Sequence, residues 1–244
     1  MSTYQNFQAS IFGDFSMIDP ANKKIQKLYN SFMNEKMFPS TRPAVNMAIQ
    51  QIVNRPMFQN DIGTMVVSIG MDRIDVNAQA PSKEMLIQKE DFIQKSIKYF
   101  EFITNVFTNI KMTRISLITN SLLKFVPDIK KDYFTNTFLE KFPTFDDKTI
   151  KEWSVNTVTS ENWLLHDKSE NVNINITAHL QVFNVIKDGE LVHRNGLLLT
   201  KDLNTFGDRL APRFDIDDIK IFLDKAGDAD GRVEDLFRKS ESRN

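Results

Sequence analysis

Apolar residues alternate at the start of the chain. In "NFQASIFGDF", Phe7, Ala9, Ile11, Gly13 and Phe15 share one face, which predicts a strand. Asp19 and Pro20 follow as a cap and first position, and Ile25, Leu28, Tyr29, Phe32 and Met33 then recur at helical spacing, so a helix is expected over 20–36. "FPSTRP" breaks it. "AVNMAIQQIV", with Val45, Met47 and Ile49 on one side, reads as a second strand. "TMVVSIG" and "RIDVNA" read as strands three and four, joined by a short loop at Gly70-Met71-Asp72. In this hairpin Ile74 and Val76 face inward, and Arg73 and Asp75 face away. A long helix near 88–110 carries Phe92, Ile93, Ile97, Phe100, Ile103, Phe107 and Ile110. Tyr99, Phe102 and Val106 widen that stripe beyond one face, so the helix is expected to be a seam covered on more than one side.

The order then restarts. "TRISLITNSLLKF" reads as strand. Pro127-Asp128 opens a helix with Ile129, Tyr133, Phe134, Phe138 and Phe142. "TIKEWSVNTVTSENWL" and the alternating "NVNINITAHLQVFNVI" read as strands, "KDG" as a turn and "ELVHRNGLLLT" as the returning strand. Asp215 caps a further helix with Asp217 and Asp218 in its first turn, where the macrodipole favours acids. Gly227 is expected to end it, leaving a short polar helix over 232–239. The expected class is therefore α+β: two related β-α-β-β-β-α halves, mainly antiparallel sheets covered by long helices. The halves divide at 1–111 and 112–244, and a cleft is expected between them.

Composition narrows the function classes. The chain has 244 residues, 41% of them hydrophobic, ample for a sizeable core. Net charge is −1, from 31 basic and 32 acidic residues, with no basic block of the kind that binds duplex nucleic acid. There are no cysteines, which removes disulfides, thiolate metal sites and cysteine nucleophiles. "MSTYQNFQASIFGDF" has no basic segment followed by an apolar run, so no signal peptide, no membrane association and a cytoplasmic setting are expected.

Few residues suggest chemistry. There is no G-x-S-x-G, no P-loop and no G-x-G-x-x-G. "DKAGDADGRVEDLF" has a calcium-loop look, but with Gly231 at the sixth position the first falls on Ala226 and the twelfth on Phe237, neither a ligand. An acidic turn between helices is expected there instead. Trp163 and His166 border a polar loop, where Trp163 either contacts a partner or closes the core at a strand end, the latter being the commoner case. Arg209 and Arg213 either grip an anion or pair with Asp215 or Asp218, and pairing is preferred. No catalytic, cofactor-binding or metal residue is assigned, and no cofactor.

The repeated strand-helix order resembles the vicinal-oxygen-chelate enzymes, which implies His and Glu on the inner faces of paired modules around a divalent metal. Here His166, His179 and His193 all fall in the second half, so the pattern is not met. Residues 43–76, "PAVNMAIQQIVNRPMFQNDIGTMVVSIGMDRIDV", resemble a sporadically distributed bacterial and prophage-associated family of similar length with no assigned function. The matching features are Arg55-Pro56, the Asp-Arg-Ile-Asp hairpin and the long helix after it. That resemblance implies a scattered distribution of the kind seen in mobile-element or phage-conflict genes, and no catalytic residues. The expected function is a non-catalytic binding or interaction protein with a protein partner or a second copy of itself. The alternative is a small-molecule binder or metal-dependent enzyme using the cleft between the halves.

Overall fold

Alternation fixes the two faces of each strand, and pairing register decides whether neighbouring faces agree. The computed structural model describes residues 4–46, 50–79, 87–126, 153–187, 190–207 and 211–241. Its elements are β1 (Tyr4–Gly13), α1 (Ile25–Asn34), β2 (Met37–Asn46), β3 (Gln51–Asn60), β4 (Met65–Ile69), β5 (Arg73–Gln79), α2 (Lys89–Val106), β6 (Met112–Val126), β7 (Trp153–Leu165), β8 (Lys168–Lys187), β9 (Glu190–Thr205) and α3 (Ile216–Glu241). The expectation of two helix-covered halves is overturned. All nine described strands form one antiparallel sheet in the order β2-β3-β4-β5-β1-β6-β9-β8-β7. The physical cause is the β1–β6 pair, which runs in register from Tyr4 opposite Leu122 to Phe12 opposite Arg114. Hydrophobic alternation marks strands but does not name their partners.

The register assembles one continuous apolar row: Phe58, Val67, Val76, Ala9, Leu117, Leu203 and Ile174 stand opposite one another across seven strands. All are buried, and all three described helices pack on this face. Phe32 of α1 stacks on Phe58 with ring centroids 3.9 Å apart, Phe92 of α2 on Phe7 at 5.2 Å, and Phe222 of α3 meets Trp163 at 5.6 Å. The wide apolar stripe of α2 is explained by its position: it contacts α1 on one side, α3 on the other, and β1 and β5 beneath. Its buried seam therefore lies within the chain. Burial, together with the Glu35 charge, pushes the Tyr99 phenol up to about 12, which keeps it neutral in this layer.

Four local expectations also change. The strand placed over 44–53 is a hairpin: β2 and β3 pair from Met37–Asn60 to Asn46–Gln51. Its turn includes Gln50 at φ 52°, with no glycine or Asn-Gly to announce it. "FPSTRP" is strand, because β2 is an outer edge where Pro39 and Pro43 need no donor. Asp19 caps a turn, accepting from the Ala21 amide at 2.8 Å, and α1 starts only at Ile25. Lastly, α3 runs unbroken through Gly227 and Gly231, where a turn was expected. A Cβ at Gly227 would come within 2.5 Å of Ile93 Cδ1, so the glycines there permit close approach to α2 rather than ending the helix. The helix expected after Pro127 and the turn at Gly189 lie outside the described residues. Among the described residues no helix is long and apolar enough to cross a membrane.

Phe58 is the floor of this aromatic layer, fully buried against Phe32 and edge-on to Tyr29. Phe58→Ala is expected to lower the unfolding free energy by about 3–5 kcal/mol in urea titration. Phe38→Ala, at a half-exposed position on the edge strand, should change it far less.

Candidate functional site

The next row along the strands lies on the other face, which carries no described helix. There the same register aligns Ser68, Asp75, Ser10, Ser116, Asn204, Asn173 and Ser160 from β4 to β7. The following rows are also largely polar. One holds Asn77, Gln8, Asp202 and Asn175 with Val66, Ile118 and Val158 among them, and the next holds Asn6, Asn120, Thr200, Thr177 and Asn156. At the opposite margin Arg73 and Arg114 flank the Phe12 ring, their guanidinium carbons 5.9 and 5.0 Å from its centroid.

Hydrogen bonds set the floor of this face. Ser10 Oγ donates to Asp75 Oδ1 at 2.7 Å, Gln8 Nε2 donates to the same oxygen at 3.2 Å, and Arg73 Nε holds Asp75 Oδ2 at 2.9 Å. On the other side of β1–β6, Asp202 Oδ1 accepts from Ser116 Oγ and from Asn204 Nδ2, both at 3.1 Å. Thr200 Oγ1 donates to Asn120 Oδ1 at 2.6 Å. Asp75 is only 4% exposed, so the hairpin charge read as merely facing away is a bonded part of the floor. The amides and hydroxyls around it offer both donors and acceptors to a ligand laid on the sheet.

A second charged cluster lies on the helix side. Lys201, fully buried on β9, donates to Asp230 Oδ1 and Glu234 Oε1, each at 2.8 Å. Thr119 Oγ1 donates to Asp230 Oδ1, Ser121 Oγ to Glu234 Oε1 at 2.6 Å, and Lys89 Nζ reaches the Gly227 carbonyl at 2.9 Å. These groups satisfy one another across the sheet–α3 contact, so the cluster reads as a structural lock. Sequence reading passed over it. The available signal was Lys201 between Leu199 and Leu203, a cation at an inward position. Beside it, at the α2–α3 crossing, runs an open groove of about 480 Å³ lined by Lys89, Ile93, Asp224 and Arg232. Burial, with the Asp228 charge, pushes the Asp224 carboxyl up there.

The residues singled out from sequence are not gathered together. Arg55 is buried on β3, where Nη2 donates to the Phe15 and Gly70 carbonyls at 2.7 and 2.9 Å and ties two loops together. Trp163 closes the core, its Nε1 donating to Glu161 at 2.9 Å. His166 sits exposed in the β7–β8 turn, and His179 lies on the open face of β8. The Trp153 and His193 side chains and Arg209 lie outside the described residues. Where pairing of Arg213 with Asp215 or Asp218 is preferred from the sequence, its Nε meets Glu170 at 3.2 Å and its guanidinium stacks over Phe214. Lys168 takes Asp218 instead, at 2.8 Å. Asp215 caps α3 as expected, accepting from the Asp217 and Asp218 amides at 3.1 and 3.2 Å. Among the described residues no group of three or more His, Asp or Glu could hold a metal. Compared with family models and with curated proteins, the chain matches none.

Two outcomes are expected here. Lys201→Met should cost about 3 kcal/mol, the lower end of the range for breaking a buried ion pair, because Lys89 still pairs with Asp230 at 3.3 Å, and Lys201→Met with Asp230→Leu should cost less than the sum of the two single changes. Chemical unfolding of the four proteins measures this. Burial pushes the Asp215 carboxyl up, but the Asp218 amide, Lys111 and Lys168 more than offset it, so its pKa lies below the ordinary 3.8. Its contribution is therefore full above the ordinary value and drains away as the pH falls through the lowered one. The gap in melting temperature between the natural chain and Asp215→Ala should be present at neutral pH and close in strong acid.

Proposed function

We propose that the chain is a non-catalytic binding protein that presents the open face of its sheet to a protein partner. The observation that carries this reading is the registered polar face from β4 to β7, without a described helix: the row from Ser68 to Asn204 is its buried, hydrogen-bonded floor, and the half-buried Asn77, Gln8, Asp202 and Asn175 and the exposed Asn156 and Ser160 supply its accessible groups. Small-molecule sites are concave and mostly apolar, whereas this surface is broad and polar. Two carboxylates in its floor and a net charge of −1 disfavour a polyphosphate ligand. The resemblance of residues 43–76 to a prophage-associated family supports a partner from phage conflict, in a defence or immunity setting.

The test compares Asn173→Arg/Asn175→Arg on β8 with Lys27→Glu on α1. A partner identified by affinity capture, then purified, should bind the β8 variant about tenfold or more weakly by calorimetry and bind the α1 variant normally. Equal loss in both variants, or none in either, sinks the reading. Thermal stabilisation by a divalent metal or a nucleotide, abolished by Lys89→Ala, would instead move function to the α2–α3 groove.

A further inference from the structure

The two edges of the sheet are built differently. At one edge, β2 carries Pro39 and Pro43, four residues apart and therefore on the same side of the strand. Pairing with β3 continues past both, so the missing donors fall on the outward side. Arg42 stands between them. Prolines and charge on an outer strand prevent another strand from adding. At the other edge, β7 has none of this. Over its 13 residues, "WSVNTVTSENWLL", there is no proline, no lysine and no arginine, and Glu161 is the single charge. The stretch from Ser154 to Glu161 is rich in β-branched residues, and every position in it but the half-buried Val155 is exposed. Every second residue of such an edge turns its backbone N–H and C=O outward. Among the described residues no strand pairs with that side.

We infer that β7 pairs antiparallel with β7 of a second copy of this chain. An antiparallel strand can match itself about a twofold axis, so one edge supplies both partners. Charge selects a self-match: with the axis at Thr157, Glu161 stands opposite Trp153 of the other copy rather than opposite another Glu161, and no like charges meet. In this register Ser154 faces Ser160 and Asn156 faces Val158, residues that share the open face in each copy. The polar rows then run on from one sheet into the next. The inference rests on the strand edge alone and does not require the partner proposed above.

The absence of cysteine gives a clean test. The intact chain is expected to sediment at twice its 28.3 kDa mass at micromolar concentration. Thr157→Cys should cross-link into a covalent dimer under mild oxidation, whereas Val45→Cys on the β2 edge should not. Thr157→Lys/Thr159→Lys should weaken the dimer by about tenfold or more, through like charge meeting at the axis, with the melting temperature of the monomer retained. A monomer at every concentration, or a dimer indifferent to the β7 lysines, overturns the inference. If the lysine variant fails to fold, the cross-link decides: no Thr157→Cys dimer, or an equal yield from Val45→Cys, also overturns it. Dimerisation is read on the pure chain, so its failure leaves open-face binding standing, and the reverse holds too.

Discussion

The antiparallel pairing of β1 with β6 is the constraint on which everything else rests. It joins a five-strand stretch to a four-strand stretch and makes one sheet of them. It also sets the two faces together, because Ala9 opposite Leu117 places Ser10 opposite Ser116. A slip of one residue would turn the apolar row of one stretch toward the polar row of the other. Both the helix-covered core and the polar floor therefore depend on the same ladder of backbone bonds.

The two faces solve burial in opposite ways. On the helix side, aromatic rings from α1, α2 and α3 close over aliphatic rows, and the fully buried cation Lys201 is held between two carboxylates. On the side without a described helix, short hydroxyl and amide side chains bond sideways to one another and hold the buried Asp75 and the half-buried Asp202. Side chains held by such bonds are already ordered in the free chain, which would lower the ordering cost of a contact made there.

Much of this was legible in the sequence, and the misses have physical causes. β1, β4, β5, β8 and α2 follow directly from period-two or period-3.6 spacing, and the inward pointing of Ile74 and Val76 was read correctly. The β2–β3 hairpin was hidden because its turn falls inside a run that keeps alternating, at Gln50 rather than at a glycine. Gly227 misled because glycine in a helix marks either an end or a close crossing, and only the position of Ile93 tells which. The open face was half visible: the outward polar positions of each strand could be counted, but their alignment into rows is a property of pairing. Lys201 and Asp230 stand on a strand and a later helix, and nothing local ties them together.

The place of β1 in the sheet has a consequence for how the chain reaches this state. It is the first strand in sequence and among the most central in space. Phe7 meets Ala78 on one side and Thr119 on the other, so neither edge of β1 is closed until distant parts of the chain return to it. Such non-local pairing charges the loop-closure entropy before the contacts repay it, and places folding toward the slow, millisecond-to-second end of the range for small domains. Until then β1 is an open strand with one greasy side. The alternation of Gln8 and Ser10 that later makes the polar floor is, at that stage, what keeps the strand from presenting two sticky faces to its neighbours.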